Sequence, residues 1–107
     1  MKLLFICSQN RLRSPTAEAL FSGHTTHVAS SAGTDRDAVT PVSADLIEWA
    51  DIVFPMEGAH LRRLNWRFPV QMRQKRAIVL NIRDDYDFMD PDLIELLRSR
   101  LRTHIEM

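Results

Sequence analysis

Four consecutive apolar residues, Leu3-Leu4-Phe5-Ile6, are followed at once by a polar stretch, Cys7-Ser8-Gln9-Asn10-Arg11-Leu12-Arg13. So short an unbroken apolar run has no polar face to turn to water. It predicts a strand buried on both sides, as in the middle of a parallel sheet. Ser14-Pro15 then supplies a helix start, with serine as N-cap and proline as first helical residue. The predicted helix covers residues 15–22, and Gly23 can end it. Strand, polar loop and helix in this order require a crossover to the next strand, and such crossovers are right-handed and return parallel.

The rest of the chain repeats the alternation. Residues 27–30 predict a second strand, and Ala32-Gly33-Thr34-Asp35 turns out of it. Thr40-Pro41 or Ser43 opens a helix through Ala50, and residues 51–54 give the third strand. Residues 57–68 read as a helix with Leu61, Leu64 and Phe68 on one stripe and Pro69 as its stop. Residues 77–80 are the fourth strand, and Asp90-Pro91 starts a last helix with Leu93, Leu96, Leu97 and Leu101 facing the core. The pattern predicts an α/β protein, a three-layer αβα arrangement around a four-stranded parallel sheet in the order 2-1-3-4. With 107 residues it is expected to form one domain over 1–107.

Ligands of such a sheet bind beyond the carboxyl ends of the strands, near the switch point beside strand 1. Cys7 ends that strand, and Arg13 follows six residues later at the mouth of the helix. A thiolate is the nucleophilic form of cysteine, and a helix N-terminus or a nearby cation favours it. The backbone N–H groups of residues 8–13 can form an anion nest, and the fork of Arg13 can hold two oxyanion oxygens. Asn10 suits such a loop because asparagine tolerates the left-handed region, and Ser14 can donate a hydrogen bond to the thiolate. The expected wall is therefore Ser8, Gln9, Asn10, Arg11, Leu12 and Ser14 around Cys7 and Arg13. Asp84, Asp85, Asp87 and Asp90 follow the fourth strand on the same sheet edge; an N-cap role ahead of Pro91 accounts for Asp90 without catalysis.

Other features read as structural. His24, His27, His60 and His104 have no ligand spacing, so no metal and no cofactor are expected. Trp49 and Trp66 read as helix packing residues. Arg62, Arg63, Arg67, Arg73, Lys75 and Arg76 form a basic stretch that could meet an acidic protein or RNA, a solvated helix face with its following loop being the commoner cause, and Arg11 reads equally well as a surface residue or an anion attractor. Fourteen cations balance fourteen carboxylates, so no global field draws the chain to nucleic acid or membrane. The single cysteine excludes an internal disulfide and fits a reducing compartment. The first apolar run is shorter than the ~7–15 residues of a signal-peptide core or the ~20 of a membrane span, so a cytoplasmic location is expected.

The stretch from Cys7 through Arg13-Ser14-Pro15-Thr16-Ala17-Glu18 resembles the N-terminal signature of the low-molecular-weight protein tyrosine phosphatases. Ser31-Ala32-Gly33-Thr34 resembles the second recurrent element of that family, and Asp51-Ile52-Val53-Phe54-Pro55-Met56 its third strand and following turn. Asp84-Asp85-Tyr86 stands where the family carries an Asp-Pro-Tyr acid loop. The resemblance implies a metal-free two-step hydrolysis: Cys7 attacks phosphorus, Arg13 and the loop amides hold the transferring group, and Asp84, with Asp85 as second choice, protonates the leaving oxygen. It implies that Tyr86 lines the substrate cleft. The chain departs from the family pattern at Leu12, where many members carry a second cysteine, at Gln9 for a loop glycine, at Asp85 for the acid-loop proline, and in a shortened segment before residue 44. It looks like a trimmed subgroup.

The expected activity is a cysteine-dependent phosphatase acting on aryl or phosphotyrosine-type monoesters, with a phosphorylated protein or small aryl phosphate as substrate and phosphate or sulfate as a loop ligand. Three alternatives share parts of this layout. An arsenate reductase would need external thiols, because Cys7 stands alone. A phosphocysteine carrier would have to preserve the adduct that Arg13 and a nearby acid favour breaking. A non-catalytic phosphate-binding module would keep the cradle without turnover.

Overall fold

β1 (Lys2–Cys7) runs between two parallel neighbours, with Leu4 opposite Ser30 of β2 (Val28–Gly33) on one side and Val53 of β3 (Ile52–Pro55) on the other. β4 (Arg76–Ala77) pairs in parallel with the outer edge of β3 and completes the order β2-β1-β3-β4 predicted from the sequence. The computed structural model describes residues 1–107. Its helices are α1 (Arg13–Ala19), α2 (Ala44–Trp49), α3 (Gly58–Arg67), α4 (Pro69–Arg73) and α5 (Pro91–Leu101). No helix is long and apolar enough to cross a membrane.

Because successive strand residues face opposite ways, the apolar run of β1 feeds two cores. Leu3, Phe5 and Cys7 face α1 and α5, where they join Ala17, Leu93, Leu97 and Leu101. Phe5 stacks between Phe21 and Phe54, with ring centroids 5.9 and 5.3 Å away. Leu4 and Ile6 face the other way and pack with Ile47, Leu64 and Met72 of α2, α3 and α4. Residues 3–6 are wholly buried, which explains why no polar residue interrupts them.

Several element boundaries differ from the sequence reading. α1 begins at Arg13, so Ser14 lies inside the helix; the N-cap position is Leu12, with no side-chain cap bond. β2 extends to Gly33, and the turn out of it starts at Thr34. α3 ends at Arg67, ahead of Pro69 as expected, but Pro69 also opens a further short helix, α4, as its first residue, where its missing N–H costs nothing. The fourth strand is assigned only over Arg76–Ala77, yet its ladder continues, with the N–H groups of Ile78, Leu80 and Ile82 donating to the carbonyls of Val53, Pro55 and Met56. The segment thus leads directly from the sheet edge to Asp84. Asp90 is the N-cap of α5, accepting from the Asp92 N–H at 2.9 Å.

The segment after β2 carries the 8–13 loop. The N–H groups of Thr34, Asp35 and Val39 donate to the carbonyls of Cys7, Ser8 and Gln9 at 2.9, 2.9 and 3.1 Å. Gly33 makes this approach possible. A Cβ there would lie 2.5 Å from the Ser8 carbonyl oxygen, 2.7 Å from the Ala38 Cβ and 3.1 Å from the Asn10 nitrogen. Two of those atoms are loop backbone and cannot swing aside. Gly33→Ala is therefore expected to cost roughly 1–3 kcal/mol of stability in denaturant unfolding and to abolish phosphate binding by titration calorimetry. An unchanged unfolding midpoint with intact phosphate binding would show that the loop does not depend on this contact.

Candidate active site

Cys7 is the last residue of β1 and is buried, and its Sγ is met by two polar groups. The Asn10 N–H donates to Sγ at 3.3 Å, and Ser14 Oγ lies 2.9 Å from it. The Asn10 side-chain amide donates to both Ser14 Oγ and Ser31 Oγ, each at 2.9 Å, and Ser31 Oγ donates to Glu18 Oε1 at 2.6 Å. With its oxygen accepting from Asn10, Ser14 directs its own proton to Sγ. The sulfur thus accepts from the Asn10 N–H and can accept from Ser14 Oγ as well. Asn10 has φ 58°, the left-handed conformation expected of it. Asn10 and Ser14 are not part of the pocket wall: both are buried behind it and hold the loop in shape.

The pocket has a volume of about 270 Å³ and is lined by Cys7, Ser8, Gln9, Arg11, Leu12, Arg13 and Asp84. The sequence-predicted wall is thereby assembled except for Asn10, Ser14 and Tyr86. Tyr86 is half-buried against the α1/α5 core and does not line the cavity. Asp84 and Asp85 separate clearly. Asp84 stands on the rim, its Oδ1 3.7 Å from Arg13 Nε, with its side chain 65% exposed. Asp85 turns to Arg83, 3.6 Å away, and does not reach the pocket.

Arg13 is the first residue of α1 and is only 3% exposed. Its Nη1 donates to Glu57 Oε1 and, at 2.8 Å, to the Ile82 carbonyl. Such a buried guanidinium is tolerable because it is both paired and hydrogen-bonded. These bonds fix one edge of the fork, and Nη2, which makes no bond within the chain, remains for an oxyanion. Glu57 is the N-cap of α3, so the helix that follows β3 supplies the carboxylate.

His60, two residues further along α3 than Gly58, was read from the sequence as merely lacking ligand spacing. It closes a capping box with Glu57, whose N–H donates to His60 Nδ1 at 3.0 Å. Nδ1 is then the acceptor nitrogen, so Nε2 carries the proton and donates to Ser8 Oγ, 2.9 Å away. Ser8 is left free to point its own proton into the pocket. Glu57, His60, Ser31 and Glu18 were all missed as site residues. A Glu-x-x-His pair at a helix start was the one signal available for the first two.

The His60 pKa is lowered from 6.5 to about 4, first by burial and then by Arg13, against the opposing pull of Glu57. Below pH 6.5 the unfolded chain takes up a proton that the folded chain refuses until about pH 4. Stability supplied by neutral His60 is therefore complete above the unfolded value and lost as pH falls through that window, at most on the order of 3 kcal/mol. The melting temperature of the native chain should fall more than that of His60→Asn between neutral pH and about pH 5. Parallel declines would show that His60 does not carry this dependence.

No protein-family model and no curated protein sequence matches the chain. Solved structures do. Tyrosine phosphatase Wzb from Escherichia coli K30, in complex with phosphate, superimposes with a TM-score of 0.75 at 19% identity, over 95% of this chain and 94% of the other. The low molecular weight protein tyrosine phosphatase from T. tengcongensis gives 0.75 at 20% identity, over 98% and 99%. YwlE arginine phosphatase from Geobacillus stearothermophilus gives 0.69 at 19%, over 99% and 98%. At these identities the likeness is one of architecture: over nearly its whole length, the chain has the fold of the low-molecular-weight protein tyrosine phosphatases.

Proposed function

We propose that the protein is a cysteine-dependent phosphatase that hydrolyses aryl or phosphotyrosine-type monoesters through a phosphocysteine intermediate. The observation that carries this reading is the convergence of Cys7, Arg13 and Asp84 on one small cavity at the N-terminus of α1. In the first step Cys7 Sγ attacks phosphorus in line, the bond to the ester oxygen breaks, and Asp84 gives that oxygen its proton. Arg13, the loop N–H groups and the Ser8 hydroxyl take the equatorial oxygens, whose charge is spread in the transition state. In the second step water attacks phosphorus, its proton passes to the Asp84 carboxylate, and the thiolate departs. Ser14 and Asn10 accommodate the returning charge on sulfur.

Hydrolysis is favoured over a phosphocysteine carrier by Asp84, which stands on the open side of the cavity where leaving group and water must pass. Arg11 bears on the substrate. It lines the cavity and adds a positive charge to its wall, which opposes a cationic guanidino leaving group and favours the neutral oxygen of an aryl ester.

Cys7→Ser is expected to abolish turnover of an aryl phosphate while leaving phosphate binding within a few fold. Asp84→Asn should lower kcat by about a hundredfold and remove the limb of the pH–rate profile that reports the acid, with Asp85→Asn near the native rate. Arg13→Lys should weaken vanadate inhibition by about a hundredfold, because an ammonium cannot reproduce the fork. Residual activity in a clean Cys7→Ser preparation would eliminate the nucleophile assignment. Equal effects at Asp84 and Asp85 would eliminate the acid.

A further inference from the structure

Charge is strongly segregated in this neutral chain. Residues 58–83 contain seven lysines and arginines and no carboxylate, whereas residues 84–95 contain six carboxylates and no lysine or arginine. At the candidate site Asp84 stands on the rim, and α3, which carries Arg62, Arg63 and Arg67, begins at Glu57, the partner of Arg13. On the basic side a second, open depression of about 590 Å³ is lined by Thr34, Arg36, Arg62, Arg63, Trp66 and Arg67. Trp66 is 84% exposed, contrary to the packing role expected from the sequence. An indole standing in water amid guanidinium groups is not explained by packing, and tryptophan and arginine are the residues enriched at interaction hot spots.

The depression adjoins the phosphate pocket. Its floor, Thr34, hydrogen-bonds to the Cys7 carbonyl, and the next residue, Asp35, to that of Ser8. The Arg62 guanidinium folds back over the first turn of α3, 3.4 Å from where a Gly58 Cβ would be. That turn presents His60 to Ser8. Arg63 is paired with Asp35 at 3.1 Å and Arg67 donates to the Thr34 carbonyl, but neither Arg36 nor Arg62 has a carboxylate partner. The cations are therefore only partly neutralised from within the chain.

Resting on the phosphatase reading, we propose that this face of α3 docks the acidic flank of a phosphorylated polypeptide whose phosphoryl group enters the Cys7 pocket. The partner is a polypeptide and not a nucleic acid because of the other half of the charge pattern. A phosphodiester backbone leaving the pocket on the far side would meet the Asp84 carboxylate at its rim, whereas a peptide can carry acidic side chains on one flank alone.

The test uses the full chain carrying Cys7→Ser and fluorescent phosphotyrosine peptides, identical except for glutamate or alanine around the phosphorylated residue. Fluorescence anisotropy should show the glutamate peptide binding about tenfold tighter at low salt, with the advantage shrinking at high salt and lost in Arg62→Glu and in Trp66→Ser. Both positions are exposed, and circular dichroism checks that the variants fold. Equal affinity for the two peptides, or tighter binding of a single-stranded RNA oligonucleotide than of the glutamate peptide, would overturn the proposal. Turnover of aryl phosphate by the native chain is measured separately. If turnover is absent while the glutamate preference and its loss in the variants persist, the phosphatase reading fails and the docking surface stands.

Discussion

The buried guanidinium of Arg13 organises this fold's functional edge. A charge taken out of water must be matched, and here the matches come from separate parts of the chain: Glu57 at the start of α3, the Ile82 carbonyl beyond β4, and Asp84 two residues later. Because these partners sit at the ends of different elements, Arg13 sets how α1, α3 and the acid-bearing segment stand relative to one another. Removing it would leave Glu57 and the Ile82 carbonyl short of their partner. The residue proposed to hold the anion is thus also one that ties the site's elements together.

A second tether acts from the other face of α1. Thr16 Oγ1 donates to the Leu12 carbonyl at 2.7 Å and accepts from the Met89 N–H at 2.9 Å. It joins the end of the 8–13 loop to Met89, five residues beyond Asp84. Met89 adopts φ 62°, a conformation that costs a non-glycine residue roughly 1–2 kcal/mol. Bonds that fix both ends of residues 82–89 compensate for that cost, so Asp84 is exposed yet attached to an anchored segment. The general acid role proposed for Asp84 calls for this combination of solvent access and defined position.

What could be read from the sequence follows from the range of the interactions involved. Strand 1, its loop and α1 were legible because they depend on residues adjacent in the chain: an apolar run, a turn-tolerant Asn10, and Pro15 in the first helical turn. The sheet order followed from the rules for parallel crossovers. Glu57, His60, Ser31 and Glu18 were not legible as site residues, because what they do depends on which strand ends the fold brings together. The same limit explains the Asp84 and Asp85 ambiguity: neighbouring residues of one composition point apart, and it is Arg83 that draws Asp85 away. For Ser14 the sequence offered both a cap and a hydrogen bond to Cys7; the helix begins one residue earlier, so the cap falls away and the contact with Sγ remains. Trp66 was misread because helical periodicity alone does not say which side of α3 meets the sheet.

The loop is shaped from behind. Asn10, Ser14 and Arg13 are buried and bound to other elements, while Gln9, Arg11 and Leu12 face the cavity and take no side-chain part in that network. Arg13 belongs to both sets, whereas Asn10 and Ser14 only shape the loop and Gln9, Arg11 and Leu12 only line the cavity. A glycine is unnecessary at position 9, because the left-handed turn is made at Asn10 and the Gln9 carbonyl is held by the Val39 N–H. A cysteine is unnecessary at position 12 for the loop's shape, since Leu12 contributes its carbonyl to Thr16 through the backbone. On the proposed phosphatase reading, the loop geometry is held by Gly33, Arg13 and the Asn10 network, while Gln9, Arg11 and Leu12 are left to face a substrate.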